Sequence, residues 1–224
     1  EVDCQHGPGG AGDPGLSSGA SRSRRGLLSI SARFTYDGGH FSAVETRTHF
    51  AAWVIVSSPL TLSHDVNNGT VMDAVWPIIS NPEVIAVSQT YAGHSGSPFK
   101  NSSARVVLDS LNYAAMHKEL DPLGEEAASL GPTNAPATQY FYKPLGGADI
   151  AVLLMNNGDA ATDLELDFAD VPGLKGTACT VRDLWSRSDL GQFDKTYTAK
   201  AVASHDAPFL KLTCPPAPPV TANL

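Results

Sequence analysis

The 224-residue chain has little cysteine, few basic residues and no long apolar run, and each shortage excludes something. Only three cysteines occur, Cys4, Cys179 and Cys214. They lack metal-ligand spacing, and an odd count leaves at least one unpaired within the chain, so neither a zinc module nor a disulfide-dense scaffold fits. A Cys179 to Cys214 bridge across the C-terminal part and buried free thiols both stay open at this point. Lysine and arginine total 15 against 23 aspartates and glutamates, a net charge of −8. That balance argues against nucleic acid and anionic membrane as partners, since both attract cations. No stretch approaches the roughly 18 consecutive apolar residues that a membrane span needs.

The most informative stretch runs from Glu45 to Asp65. Glu45 opens a helix, Phe50, Trp53, Val54 and Ser57 recur at helical spacing, and Pro59 ends it because it cannot donate to the backbone ladder. Leu60-Thr-Leu62 then reads as a short buried strand, so the whole is one step of a β/α repeat. A further helix is expected over 71–79, and the apolar run Val84-Ile-Ala-Val87 reads as a second buried strand. Residues 1–42, rich in Gly, Ser and Arg, read as loop or disorder, with an inserted piece near 18–42. Residues 96–137 read as a crossing between domains, with one strand at Arg105-Val-Val-Leu108 and a helical piece near 113–119. Over 138–214 the period changes. Gln139-Tyr-Phe-Tyr142, Ile150-Ala-Val-Leu-Leu-Met155, Thr162-Asp-Leu-Glu-Leu-Asp-Phe168, Cys179-Thr-Val-Arg-Asp-Leu184 and Phe209-Leu-Lys-Leu212 are short strands separated by turns such as Asn156-Asn-Gly158. Residues 215–224 are left as a tail.

The run from Glu45 to Asp65, the run from Val75 to Gln89, Val181-Arg-Asp-Leu-Trp-Ser186 and Asp189-Leu-Gly191 together resemble the C-terminal half of melibiase-type α-galactosidases, glycoside hydrolase family 27. The resemblance covers residues 43–95 and 138–214. It implies an α/β plus all-β architecture: residues 43–95 as the last β/α units of a truncated (β/α)8 TIM barrel, followed over 138–214 by a C-terminal antiparallel β-sandwich domain. A whole barrel takes roughly 250 residues, so a fragment is the economical reading. It also implies a retaining hydrolase of terminal α-D-galactosyl residues, acting on oligosaccharides or glycoconjugates, with no metal or organic cofactor. Secretion or a vacuolar or lysosomal location goes with it, as does a homodimer; galactose and N-acetylgalactosamine specificities stay open.

Retaining hydrolysis needs two carboxyl groups, one as nucleophile and one as acid and base. The family nucleophile sits in a strand in mid-barrel, and no segment upstream of Glu45 carries such a strand. For the acid/base, found in an Asp-Pro-Asp-Met-Leu-type motif, two alignments compete. One makes Asp13, in Asp13-Pro14, the catalytic acid; the other matches Glu1-Val2 to the residues after the motif and places the acid before Glu1. The second is preferred, because it keeps Gly15-Leu-Ser17 in its family place. Asp65 ends an expected barrel strand, and such ends line the active face, so a sugar-facing role is set against that of a turn residue. On those terms the fragment by itself is inactive.

A non-catalytic domain that binds carbohydrate or protein is the rival reading. Trp185, Tyr140 and Tyr142 would then stack on sugar rings, whereas core and interface packing is the ordinary use of such aromatics. Arg47 and His49 read as a solvated or interface helix face, with no chemistry assigned. Gly7-Pro-Gly-Gly-Ala-Gly12, Gly93-His-Ser-Gly-Ser97, Ser63-His-Asp65 and Ser204-His-Asp206 contain fragments of dinucleotide, nucleophile-elbow and triad patterns without the strand and helix context that those need. Two glycosylation sequons, Asn68-Gly-Thr70 and Asn101-Ser-Ser103, would mark surface loops in a secreted chain.

Overall fold

Helix α1, Ala43–Ile55, begins where Ser42 and Glu45 close a capping box. The Ser42 side chain accepts from the Glu45 amide while the Glu45 carboxylate accepts from the Ser42 amide, so two otherwise unpaired donors are satisfied. The computed structural model describes residues 41–62, 65–108 and 133–215. The expectations for 1–40, including Asp13 and the Gly-rich strings, for 113–119 and for Ser63 and His64 lie outside the described residues.

Helix α2, Gly69–Ile79, is capped by Asn68, and helix α3, Pro82–Gln89, is capped by Asn81. Helix α3 corrects the sequence reading, which made residues 84–87 a buried strand. The start signal was present: a capping Asn, Pro at the first helical position and Glu83 in the first turn fix a helix that the apolar run by itself cannot distinguish from a strand. The strand expected at 60–62 is reduced to a bridge at Leu62, and Leu60 and Leu62 remain 39% and 43% exposed. Strand geometry needs a neighbour to hydrogen-bond, and the described residues supply none beyond that bridge.

The rest is antiparallel. Strands β1 (Ser97–Asn101), β4 (Thr138–Gly146), β5 (Asp149–Asn156), β7 (Ala178–Asp183), β8 (Ser188–Asp194) and β10 (Phe209–Thr213) form one sheet in the order β1-β4-β5-β10-β7-β8. Strands β6 (Thr162–Asp167) and β9 (Thr196–Val202) form a second sheet, and β2 (Arg105–Leu108) pairs with β3 (Thr133–Pro136) in a third. Strands β1, β3, β8 and β9 escaped the sequence reading. β1 and β8 are sheet edges, largely exposed, and so lack the hydrophobic alternation by which a strand is recognised. β1 also shows that part of the segment read as a crossing belongs to the large sheet.

The side-chain period of two decides the layering. Tyr140, Ile150, Val152, Leu154, Val181, Leu210 and Leu212 point from the large sheet into a core shared with Leu164 and Leu166 of β6 and with Ala199 and Val202 of β9. Phe141, Lys143, Leu153 and Phe209 have the opposite parity and are fully buried or nearly so. β5 is therefore buried on both faces, which is why its sequence is a continuous apolar run rather than an alternating one.

Lys143 is the exception in that layer, a charged side chain with no exposure. Its Nζ donates to the carbonyls of Val87 and, at 3.1 Å, of Ser88, in the last turn of α3. Cations are stabilised at helix C-termini, where carbonyls lack helical partners. Burial pushes the ammonium pKa down, so those carbonyls keep a proton that the surroundings disfavour.

Asn156 has a comparable role in the sandwich. Its Nδ2 lies within bonding distance of the carbonyls of Ala160, Val202 and Ala203 at 2.9, 3.1 and 2.9 Å, joining the turn after β5 to the end of β9. The Asn156-Asn-Gly158 turn thus leads from one sheet to the other rather than closing a hairpin. Cys179 and Cys214 form a disulfide between β7 and the residue after β10, both nearly fully buried.

Candidate functional site

Asp65 enters a tight turn just before α2. Its Oδ1 accepts from the Asn67 amide at 2.9 Å, its carbonyl accepts from the Asn68 amide at 3.1 Å, and the residue is exposed. An Asp that bonds a backbone N–H two residues on is a standard turn device. The carboxylate nevertheless faces solvent and can accept further donors.

The polar side chains that the structure does converge lie between the helices and the sandwich. On α1, Arg47 donates to both carboxylate oxygens of Asp206 at 2.7 and 2.8 Å, and Thr48 Oγ1 donates to the His205 carbonyl at 2.8 Å. The Arg47 guanidinium also sits 5.6 Å from the Trp185 ring centroid. Glu45 lies 3.2 Å from His205 Nδ1. Burial raises the Glu45 pKa, but the Ser42 backbone and hydroxyl bonds and His205 outweigh it and leave the carboxyl below its ordinary range. At α3, Asn81 Nδ2 donates to the Leu184 carbonyl at 2.8 Å, and Glu83 receives two bonds from Arg182 at 2.7 and 2.8 Å. Arg182 also holds Asp189 at 2.8 Å, so one guanidinium ties α3 to both strands of the β7–β8 hairpin.

This seam absorbs most of the patterns noted in the sequence. Arg47 is an interface residue, and His49 accepts from Trp53 Nε1 at 3.0 Å. In Ser204-His-Asp206 the His205 ring turns to Glu45 and Asp206 turns to Arg47, so they form no relay. In Gly93-His-Ser-Gly-Ser97 the His94 ring accepts from the Gly96 amide, which fixes a loop rather than an elbow. Tyr140 is buried in the sandwich core, Tyr142 stacks on His94 with centroids 5.2 Å apart, and Trp185 Nε1 donates to the Ala207 carbonyl at 3.2 Å. All three aromatics are engaged in packing, which leaves the sugar-stacking alternative without support. Asn81, Glu83, Arg182 and Lys143 escaped the sequence reading; only the Asn81-Pro82-Glu83 helix start had a local signal. Among the described residues, no group of three or more His, Cys, Asp or Glu side chains is arranged to hold a metal ion.

The Glu83–Arg182 pair carries a pH dependence of known sign. The Arg182 bonds hold the Glu83 carboxyl below its ordinary value, against a smaller opposing effect of burial. A depressed carboxyl pKa contributes stability that is present above the unfolded value, about 4.3, and lost as the pH falls through the folded value. Glu83→Gln should lower the melting temperature at pH 6, by an amount equivalent to about 1 kcal/mol for a partly exposed pair. The difference from the parent should shrink as the pH approaches 3; a gap that stays constant with pH would mean that Glu83 acts through packing and not through its charge.

Comparison with known proteins agrees with this architecture. Residues 135–212 match the family model described as the alpha galactosidase C-terminal beta sandwich domain. The α-galactosidase of Coffea arabica is 28% identical over 177 residues, 78% of this chain and 37% of that protein. Probable α-galactosidase B of Penicillium simplicissimum is 29% identical over 175 residues, 77% of this chain and 34% of that protein. Among solved structures, α-galactosidase I of Mortierella vinacea superposes with a TM-score of 0.60 at 24% identity, covering 82% of this chain and 38% of that one. The chain thus spans about a third of the length of the curated relatives that it matches. Helices α1 to α3 followed by the β-sandwich have the fold of the end of a β/α barrel and the domain after it, residues 135–212 match the α-galactosidase sandwich domain, and the chain as a whole is similar to the C-terminal part of α-galactosidases.

Proposed function

We propose that this chain is the bracing, C-terminal part of a retaining glycosidase that releases terminal α-D-galactosyl residues from oligosaccharides or glycoconjugates. The observation that carries the reading is the seam itself. Arg47–Asp206, Glu83–Arg182, Asn81 on Leu184 and Lys143 on the end of α3 fix the helices to the sandwich by charged and geometrically specific bonds. A module evolved to hold sugar would instead present its aromatic faces to solvent, and in the sandwich Tyr140, Tyr142 and Trp185 are engaged in packing. The sandwich holds the last barrel units in place, and the barrel carries the carboxylate pair. In this reading the nucleophile comes from preceding strands, the acid/base from Asp13 or from a residue before Glu1, and Asp65 contributes a free carboxylate oxygen to a sugar hydroxyl. Secretion or delivery to a vacuole or lysosome belongs to the same proposal.

The test is an assay of two proteins with p-nitrophenyl α-D-galactopyranoside and its β anomer. The 224-residue chain should release nothing from either. A longer product, encoded by the same transcript with its upstream barrel sequence, should cleave the α anomer only, with α-galactose as the first product. A longer product without α-galactosidase activity, or one that inverts the anomeric centre, would overturn the proposal.

A further inference from the structure

Two asparagines share an arrangement that the seam does not use. Asn68 is exposed, and its Oδ1 accepts the Val71 amide at 3.3 Å as the cap of α2. Asn101 is exposed at the end of β1, and its Oδ1 accepts from Gln139 Nε2 at 3.0 Å. In each amide the oxygen is occupied, while Nδ2 makes no hydrogen bond among the described residues and meets solvent. The hydroxyl residues two positions on, Thr70 and Ser103, are exposed as well. Asn81, Asn156 and Asn157 have the opposite arrangement: their Nδ2 groups donate to carbonyls of Leu184, of Ala160, Val202 and Ala203, and of Pro136. None of those three is followed by Ser or Thr two residues later.

We propose that Asn68 and Asn101 are N-glycan acceptors. The donor is a lipid-diphosphate-linked oligosaccharide. The Asn Nδ2 forms a bond to the anomeric carbon, the bond from that carbon to the diphosphate oxygen breaks, the lipid diphosphate leaves with the electron pair, and one amide proton passes to a base. The product keeps its carbonyl oxygen as an acceptor and one N–H. The Asn68 cap and the Gln139 contact therefore survive modification, whereas Asn81 and Asn156 would each lose a buried donor. The buried Cys179–Cys214 disulfide is an independent sign of the same route, because such bonds form and persist in oxidising compartments, where this glycosyl transfer takes place.

The two glycans would act on different surfaces. β1 is an edge of the six-stranded sheet, and edges template pairing with other chains unless they are blunted. A glycan at Asn101 stands at the end of that edge. At Asn68 the glycan stands two residues from Val66, a large apolar side chain that is 55% exposed.

The test is expression of the whole chain behind a secretion leader in a glycosylating eukaryotic host. Protein from the secretory lumen is compared before and after treatment with an amidase that releases Asn-linked glycans. The untreated protein should run as the higher of two species separated by two steps, and released peptides should carry Asp at positions 68 and 101. Thr70→Ala and Ser103→Ala, which spare both asparagines and the α2 cap, should each remove one step, and the double variant should show none. Occupancy of one position alone overturns the assignment of the other. An unshifted lumenal chain, or a shift that persists in the double variant, overturns both.

Discussion

Gly96→Ala will cost more stability than any other single substitution considered for this chain. An ideal Cβ at position 96 falls 1.8 Å from the carbonyl oxygen and 2.9 Å from the carbonyl carbon of Ile55, the last residue of α1, and the backbone there has φ of +91°. Neither obstacle is a flexible side-chain end. The loop also cannot retreat freely, because Ser57 Oγ donates to the Ser95 carbonyl at 2.8 Å and the Gly96 amide donates to His94. Alanine must therefore push the end of α1 away from the large sheet or leave the loop in strain, for a loss of roughly 3 kcal/mol or more. Gly93→Ala is the matched control. Its φ is +84°, yet nothing lies within 4 Å of the added carbon, so only the backbone penalty of about 1 kcal/mol applies. Denaturant melts of the two variants separate the explanations: equal losses would mean that the close approach to Ile55 does not exist in solution.

Removing the disulfide comes second. Cys179 and Cys214 are 35 residues apart in sequence, and the bridge closes a loop that contains β8, β9, β10 and most of β7. Closing a loop of that length in the unfolded chain corresponds to about 3–4 kcal/mol in the chain-entropy account. With total domain stabilities of about 5–15 kcal/mol, that is a large fraction. The Cys179→Ala, Cys214→Ala double variant should lose that amount in urea melts, and the parent should converge on it in a strong dithiol reductant. A parent indifferent to reductant, with a double variant as stable as the parent, would show that the bridge is not formed in solution.

The legible parts of this protein were those whose signal is local. Helix α1 could be read from Glu45 in its first turn and from the apolar spacing of Phe50, Trp53 and Val54, whereas its Ser42 cap was recognised only in the structure. Four of the five strands expected over 138–214 pair within the large sheet, and the fifth, β6, pairs with β9 in the second sheet. Their patterns were readable because at least one face of each meets the core. The stretch 84–87 misled because both of its readings, buried strand and buried helix face, bury the same apolar side chains; the decisive residues, Asn81 and Pro82, lie just outside it. β8 was illegible because an exposed edge strand has no core face to impose an alternation.

For the candidate site, the sequence located Asp65, Trp185, Tyr140 and Tyr142 but not what surrounds them. The partners are distant in the chain: Arg47 meets Asp206, Glu83 meets Arg182 and Lys143 meets Val87, separations of 159, 99 and 56 residues. Contacts of that range have no period and no capping rule to announce them.

The sequence by itself determined the element types wherever caps, prolines and alternation agree, the acidic surface and the family likeness, since these are properties of residues and their near neighbours. Tertiary structure alone decided that Cys179 and Cys214 pair, that Lys143 is buried on a helix end, that position 96 admits only glycine and that three aromatics serve packing. Each of those depends on where a distant backbone passes, and that position follows from how the layers bury their apolar faces against one another.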